Sequence, residues 1–263
     1  MTRTIRLLLT QRCNARCDYC HNEGQDGKAD QLTLSEITNL IGSLTRHGIE
    51  VDEFVLSGGE PTLHRDLADI AHLCKQSGAR VSINTHGGHP DRLAKALPWI
   101  DEVKIHLDAF DEARQQASMG IQLRKVLQSI DHVQSHPHIL CMLNHPLRTL
   151  STTFAFLESA QARQLDCKII GLHGEANAPH IEHLNLAQRG YRLQSDGSWV
   201  GKGHHVHTRQ CDTADEDHQS LFVGVDGVRQ QLTAAPLGRI SDFTPAWLTH
   251  QAPQRKVVPI ALA

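Results

Sequence analysis

Short apolar runs rich in β-branched residues alternate with longer amphipathic segments through the first two thirds of the chain. Runs of this kind favour β-strands, and apolar positions that recur every three or four residues favour α-helices. The pattern predicts a repeated strand-then-helix order. The predicted strands are residues 4–9, 51–56, 80–84, 102–107, 139–143 and 168–172. The predicted helices are residues 33–46, 66–76, 89–97, 122–133 and 152–163.

The segment 33–46 carries clear signals at both ends. Thr33 stands three residues before Glu36, which is the spacing of a capping box, and Gly48 follows the last apolar position. Because strands separated by helices pair most economically in parallel, we expect an α/β fold. The pattern does not separate an open sheet from an incomplete barrel, but in both the functional surface lies at the carboxyl ends of the strands.

The strand–helix order is lost after about Gly174. Short alternating runs at 191–193, 198–200 and 221–225 predict β-hairpins, with turns at Asp196-Gly197 and Asp226-Gly227. We therefore expect two parts, a strand–helix domain over residues 1–175 and an extension over residues 176–263 that closes the first part and shapes a substrate pocket.

Composition excludes several classes of protein. The 263 residues are 40% hydrophobic, and 26 basic against 29 acidic side chains give a formal net charge of −3 without a run of Lys or Arg. Nucleic acid is therefore not the expected partner. The apolar stretches are far shorter than the roughly 20 residues that span a bilayer, and no signal peptide is visible. We expect a cytoplasmic protein without a membrane partner.

Three of the seven cysteines, Cys13, Cys17 and Cys20, crowd into one loop directly after the first predicted strand. This spacing favours a compact metal centre over a disulfide framework. Three thiolates on a four-iron cubane leave one iron open to an exogenous chelator. The alternative is a closed zinc site of three cysteines with His21 as the fourth ligand.

A second motif, Ser57-Gly58-Gly59-Glu60-Pro61, follows the second predicted strand and so belongs to the same edge. The two glycines permit close approach to the backbone, and the carboxylate can accept hydrogen bonds from an ammonium group. Alone, such a sequence is often only a tight turn. Together with the cysteine loop it favours the open iron site.

The two motifs together resemble those of the radical S-adenosylmethionine (SAM) superfamily. The resemblance implies a partial (β/α)6 barrel, a [4Fe-4S] cluster on the three cysteines, and SAM on the open iron. One electron, from a donor such as flavodoxin or ferredoxin, then cleaves SAM to a 5′-deoxyadenosyl radical that takes a hydrogen atom from substrate. The chain would accordingly be an enzyme.

Residues 4–175 are most similar to the GTP 3′,8-cyclase family of molybdenum cofactor biosynthesis. The matching segments are 11–14, 57–61, 84–87 and 104–111. The resemblance implies that Tyr19, Ser57, Gly58, Gly59, Glu60, Asn84, His106 and His173 bind SAM. His106 replaces a serine that the family usually has near the ribose, and His173 lies near the adenine position.

Departures from that family point to a changed substrate. The chain offers only Cys211 beyond Cys167 where the cyclases carry three cysteines for a second cluster, and Val55 stands in place of an arginine. The remaining candidate substrate residues are Arg12, Thr85 and Lys168. A triphosphate needs several convergent cations, so we expect a small nucleoside-like or amino-acid-like metabolite. The alternatives are a precursor peptide, as in a peptide-modifying maturase, and a non-catalytic iron–sulfur or zinc protein.

A histidine-rich segment from His204 to His218 also contains Cys211. Its residues are typical of a solvated loop or, less often, of a metal site. The sequence leaves its role open.

Overall fold

The computed structural model describes residues 3–20, 30–172, 178–210, 220–230, 235–244 and 246–249. Its first half alternates strands with helices, as the hydrophobic pattern predicts. The strands are β1 (Thr4–Leu8), β2 (Glu53–Ser57), β3 (Arg80–Thr85), β4 (Glu102–His106), β5 (Leu140–Leu147) and β6 (Asp166–Gly171). The helices are α1 (Leu34–Arg46), α2 (Leu67–Gln76), α3 (Pro90–Ala96), α4 (Glu112–Met119), α5 (Leu123–Gln134) and α6 (Leu150–Ala162).

Short strands dominate the second half of the chain. They are β7 (Arg192–Leu193), β8 (Trp199–Gly201), β9 (His204–Gln210), β10 (Ser220–Gly224) and β11 (Gly227–Arg229), and a short helix α7 (Ala246–Thr249) follows. All eleven strands of the described chain form one sheet in the order β11-β10-β1-β2-β3-β4-β5-β6-β9-β8-β7. The predicted α/β fold with a partial barrel and C-terminal hairpins is confirmed.

Two of the hairpin strands also join the parallel sheet, which the sequence does not predict. β9 pairs in parallel with β6, and β10 pairs in parallel with β1, so each lengthens the parallel sheet at one edge. The outer edges of these two strands are taken by antiparallel neighbours, β8 on β9 and β11 on β10. To close the sheet into a full barrel, β9 would have to pair with β10. Because antiparallel neighbours already occupy the outer edges of both strands, the barrel stays open. A domain boundary at residue 175 stays a prediction.

Helix α1 forms where the capping signals in the sequence predict it. Thr33 Oγ1 accepts a hydrogen bond from the Glu36 N–H, and the Glu36 carboxylate accepts one from the Thr33 N–H at 2.8 Å. Its apolar face, Ile37, Leu40 and Leu44, is buried in the hydrophobic core. Helix α4, in contrast, was not predicted, because the residues it buries are Gln115 and Met119, which give no apolar stripe.

Alternate strand residues face opposite sides of the sheet. Ile5 and Leu7 are fully buried on the convex side, beneath the helices. On the concave side the Arg6 guanidinium lies 5.5 Å from the Phe222 ring centre, and Lys104 Nζ lies 3.9 Å from Glu53 Oε1. Among the described residues no helix has the length and apolar character to cross a membrane.

Candidate functional site

The cysteine loop is fixed by backbone hydrogen bonds where it leaves β1. The Leu9 N–H donates to the Ser57 carbonyl and the Gln11 N–H donates to the Asp30 carbonyl, each at 2.9 Å. Farther along, the Arg16 N–H donates to the Met119 carbonyl at 2.9 Å. The loop therefore lies across the carboxyl ends of the first strands and reaches the end of α4.

All three thiols of the loop are partly buried. Burial raises the pKa of Cys13 to about 11 and that of Cys17 to about 12, so the thiolates need a nearby cation to form at neutral pH. Within the described residues no three His, Cys, Asp or Glu side chains gather closely enough for one metal ion. A cubane takes each of three thiolates to a different iron atom, so three soft thiol donors in one loop fit a [4Fe-4S] cluster.

Gly58 lets the second motif pack against the cysteine loop. Its φ is +123°, and an added Cβ would lie only 2.6 Å from the Thr10 carbonyl oxygen. The next residues continue the contact, since the Gly59 N–H donates to the Thr10 carbonyl and the Glu60 N–H donates to the Arg12 carbonyl, both at 2.7 Å. Gly58 is thus required by the protein's own backbone.

The Glu60 carboxylate is 1% exposed and surrounded by donors from the protein. Oε1 accepts hydrogen bonds from the Thr62 N–H at 3.0 Å, the Thr62 hydroxyl at 2.5 Å and the Thr85 hydroxyl at 2.7 Å, and Oε2 accepts one from the His86 N–H at 2.9 Å. Burial alone would raise the pKa of Glu60, but His86 and these hydrogen bonds outweigh it and hold the pKa below its usual range.

His86 connects Glu60 to the cysteine loop. The Gly88 N–H donates to Nδ1, so Nε2 carries the proton and lies 3.0 Å from Asn14 Oδ1 and 3.2 Å from Glu60 Oε2. His89 Nε2 lies 3.2 Å from the same Asn14 oxygen. The loops after β1, β2 and β3 therefore share one hydrogen-bond network, which is buried at Glu60 and His86 and ends at the exposed Asn14. Asn14 and His86 lie in the matching segments 11–14 and 84–87, but the sequence did not predict either as a site residue, because loop positions show no period.

Tyr19, beside the last cysteine, is held by a second network. Its hydroxyl donates to Asp108 Oδ1 at 2.6 Å, and the Arg148 guanidinium lies 4.9 Å from its ring centre. Arg148 also makes a bidentate pair with Asp18 and lies 3.6 Å from Asp108 Oδ2. Burial raises the pKa of Tyr19 far above its usual range, so the phenol stays protonated. Arg148 follows β5 and was not predicted as part of the site.

The concave ends of the strands carry buried acceptors that no described residue satisfies. They include Asn84 Oδ1 on β3 and Asn144 Oδ1 on β5. Register places Asn144 beside His106 on β4 and Lys168 on β6, and the His106 ring stacks on Tyr19 with centres 6.4 Å apart. Unpaired buried acceptors are costly, so this surface fits a ligand with several donors, such as the ammonium, hydroxyl and amino groups of SAM.

The other predicted site residues have mixed positions. Ser57 is buried, with its carbonyl bound to Leu9, and the Thr85 hydroxyl is engaged by Glu60. Arg12 is exposed on the cysteine loop. His173 and His21 lie outside the described residues.

The histidine-rich segment is divided by the sheet. His204 is buried, its Nε2 lies 2.9 Å from the Tyr191 hydroxyl, and its Nδ1 lies 3.0 Å from the Leu165 carbonyl. His205 and His207 alternate with it to the other face of β9. Cys211 and His218 lie outside the described residues.

Sequence comparison identifies proteins that are similar to this chain. The profile described as the radical SAM superfamily matches residues 7–159. A probable GTP 3′,8-cyclase of Methanocella arvoryzae is 35% identical over 132 residues, which are 49% of this chain and 42% of that protein. Its counterpart in Sulfolobus acidocaldarius is 29% identical over 205 residues, which are 74% of this chain and 65% of that protein. The first of these matches thus spans about two fifths of the relative's length.

Solved structures agree on the fold. The structure titled native anSMEcpe with bound AdoMet has a TM-score of 0.70 at 14% identity, covering 94% of this chain and 80% of that one. Streptococcus suis SuiB bound to the precursor peptide SuiA has a TM-score of 0.66 at 10% identity, covering 90% and 62%. At these identities the likeness concerns architecture alone.

Proposed function

Because this chain belongs to the radical SAM superfamily, whose enzymes use a [4Fe-4S] cluster and SAM, we propose that it removes a hydrogen atom from a small nucleoside-like or amino-acid-like metabolite. When bound, the cluster supplies the electron for reductive cleavage of SAM. The observation that carries the proposal is the position of the cysteine loop, which lies across the same strand ends as the orphaned acceptors of Asn84 and Asn144.

Cys13, Cys17 and Cys20 would hold the cluster. The raised thiol pKa values of Cys13 and Cys17 make an iron centre the natural source of the cation that their thiolates need. The SAM surface would comprise Tyr19, the Ser57–Gly59 turn, Asn84 and His106, with Asn144 as an addition from the structure. His173 stays a prediction for the same surface.

Glu60 would act from beneath this surface. Its carboxylate already accepts hydrogen bonds from Thr62, Thr85 and His86. Its role is then to fix the turn and the loop after β3, so that the backbone of Gly58 and Gly59 keeps its shape. Asp108 and Arg148 would fix the ring of Tyr19 in the same way.

The substrate would lie against the concave wall. Lys168 on β6 and Arg12 on the cysteine loop bring positive charge to the carboxyl ends of the strands, and Lys168 lies opposite His207 in register. Since β9 and β10 widen that wall at both edges, residues 176–263 would shape the pocket. An anionic group on a small metabolite suits these side chains.

The class of reaction is tested by anaerobic reconstitution with iron and sulfide, reduction with dithionite, and detection of 5′-deoxyadenosine from SAM by mass spectrometry. Cys17→Ser should lose the cluster and the product, whereas Cys141→Ser, a cysteine outside the loop, should retain both. A cluster that forms without SAM cleavage would support a non-catalytic iron–sulfur protein, and zinc alone would support the closed Cys3His site. A cluster that survives in Cys17→Ser would refute the ligand assignment.

The SAM surface is tested by Asn144→Leu. Because the Asn144 oxygen is unpaired in the described protein, its removal should not lower the free energy of unfolding, while the affinity for SAM should fall about tenfold, or about 1.4 kcal/mol. Met142→Leu, on the same face of β5, is the volume-matched control. Unchanged SAM affinity in Asn144→Leu would remove Asn144 from the site.

Substrates are screened by their stimulation of 5′-deoxyadenosine formation, comparing GTP, free nucleosides, amino acids and a candidate precursor peptide. Lys168→Met should abolish stimulation by an anionic metabolite and leave SAM cleavage without substrate unchanged. Substitutions within residues 176–263 test the role of this extension better than its deletion does. Deleting the extension would expose both edges of the parallel sheet.

A further inference from the structure

A cavity of about 480 Å³ lies between helices α4 and α6. Ala117 and Ser118 line it from α4, and Ala155 and Ser159 line it from α6. Because side chains this small do not fill the space between the two helices, a cleft stays open there. Its volume is within the range of small-molecule sites, about 300 to 1,000 Å³.

The cavity and the candidate SAM surface lie on opposite sides of the sheet. His145 on β5 lines the cavity, whereas the preceding residue, Asn144, belongs to the concave wall. Successive strand residues face opposite sides, so the cavity is on the helix side. Asp108 and Arg148, which fix the ring of Tyr19, line the cavity as well. A ligand there would lie behind the candidate SAM surface, against the two residues that hold Tyr19.

One wall of the cavity is aromatic. The Phe156 ring packs against the Phe110 ring with centres 5.3 Å apart, and it stacks on the His145 ring with centres 4.1 Å apart. Burial lowers the pKa of His145 to about 4, so this ring carries no charge at pH 7. An uncharged aromatic wall favours a flat, apolar ring as its ligand.

Two residues that line the cavity each have a buried polar atom without a hydrogen-bond partner among the described residues. The atoms are Asp108 Oδ2, an acceptor, and Arg148 Nε, a donor. They lie 3.6 Å apart, which is too long for a hydrogen bond between them. Asp108 Oδ1 is already engaged by the Tyr19 hydroxyl, and the two terminal nitrogens of Arg148 by Asp18. Unpaired buried polar atoms are costly, so this pair favours a ligand with a donor and an acceptor side by side.

We propose that the cavity binds a flat, neutral aromatic lactam or amide, whose N–H donates to Asp108 Oδ2 and whose carbonyl oxygen accepts from Arg148 Nε. The ligand ring would lie against Phe110 and Phe156. The Arg148 side chain is 30% exposed, so it can shift to admit the edge of the ligand. A bound ligand would fix the Asp108 carboxylate in the position that holds the Tyr19 hydroxyl.

The ligand should therefore act as a positive effector of SAM binding. This part of the inference rests on the proposed function, because it requires Tyr19 to belong to the SAM surface. Two ligands that favour the same arrangement of one residue strengthen each other's binding by the same factor.

The test uses the reconstituted holoenzyme and 2-quinolone, a flat bicyclic lactam, as the probe. Its N-methyl derivative keeps the rings and the carbonyl but lacks the donor, and it serves as the ligand control. Ala155→Trp fills the cavity from an exposed position of α6, so the fold should be retained. The control variant, Ala162→Trp, makes the same change at an exposed position of the same helix that does not line the cavity.

Titration calorimetry should detect binding of 2-quinolone to the wild type and to Ala162→Trp, and binding at least about tenfold weaker to Ala155→Trp. The N-methyl derivative should also bind the wild type at least about tenfold more weakly, because it leaves Asp108 Oδ2 unpaired. Equal binding of the probe to the two variants would overturn the site. Equal binding of the two ligands, or no binding of the probe to the wild type, would overturn it as well.

The effect on SAM is measured separately. Saturating 2-quinolone should tighten SAM binding about threefold in the wild type and in Ala162→Trp, and should leave it unchanged in Ala155→Trp. Unchanged or weaker SAM binding in the wild type would overturn the effector role.

Failure of the proposed function gives a different result. A holoenzyme that binds SAM but never cleaves it would refute the enzyme, while both sets of titrations still decide the cavity and its effect. A protein that binds no SAM would refute the effector role together with the proposed function, and the titrations of the two ligands would still decide the cavity.

Discussion

The two ends of the cysteine loop are fastened by different chemistry. At the first end, the exposed Asn14 meets His86, and His86 in turn lies against Glu60; the side chains of His86 and Glu60 are only 4% and 1% exposed. At the second end, Asp18 meets Arg148, and their side chains are 68% and 30% exposed. Buried hydrogen bonds are little affected by salt and are costly to break, whereas exposed ion pairs contribute little and are screened. The first end should therefore set the stability of the site.

The largest effect is expected from Glu60→Gln. The NH2 group of the new amide would face the hydrogen-bond donors of Thr62, Thr85 or His86. Buried donors would then be left without an acceptor. We expect the free energy of unfolding to fall by about 3 kcal/mol, measured by urea denaturation. Glu53→Gln, at the start of β2 with a 3.9 Å ion pair to Lys104, should cost under about 1 kcal/mol. Equal losses in the two variants would contradict the comparison.

Lowering the pH should first weaken the second end of the cysteine loop. His145 on β5 is buried, donates from Nδ1 to the Leu107 carbonyl at 3.2 Å and accepts from Thr153 at 3.1 Å. Burial lowers its pKa to about 4, so the folded protein resists protonation that the unfolded chain accepts near pH 6.5. Stability is then fully present above about pH 6.5 and is lost as the pH falls toward 4, by roughly 2 to 3 kcal/mol.

The matched variant for this prediction is His145→Asn, which keeps a donor for Leu107 and removes the titration. The difference in unfolding free energy between wild type and variant should shrink from pH 7 to pH 4.5. Glu60 contributes little across that range, because its pKa is held below the usual carboxyl value. A difference that is constant with pH would refute the role of His145.

A smaller loss is expected from Arg148→Ala. The change removes the contacts to Asp18 and Tyr19 and leaves the carboxylate of the buried Asp108 with only the hydroxyl of Tyr19 as a side-chain partner in the described protein. We expect about 1 to 2 kcal/mol, measured by urea denaturation. Arg148→Lys keeps the charge without the bidentate geometry and should recover part of the loss. A loss as large as that of Glu60→Gln would reverse the ranking of the two ends.

The smallest effect concerns the Asp18–Arg148 pair by itself. Hydrogen bonds from Arg148 hold the pKa of Asp18 below its usual value, but Asp18 is largely exposed. A double-mutant cycle with Asp18→Asn and Arg148→Met should give a coupling energy below about 1 kcal/mol that declines with added salt. A coupling that persists at high salt would show that the pair is shielded from solvent.

Local signals explain what the sequence predicted correctly. Thr33 and Glu36 form the predicted capping box, and the six strands follow from runs that are apolar because the strands are buried on the helix side. The cysteine spacing and the Gly-Gly-Glu turn also lie within single loops. Such features depend on neighbours in the chain, so the sequence alone determined the α/β architecture and the superfamily.

Contacts between distant segments were decided by the tertiary structure alone. The histidines hid the strand character of β9, and only pairing with β6 shows that the extension lengthens the parallel sheet. The partners of Glu60 are His86 and Thr85 from the next strand end, and Tyr19 meets Arg148 across 129 positions of sequence. No pattern in the chain encodes these meetings, because they arise where parallel strands bring their carboxyl ends to one edge of a sheet.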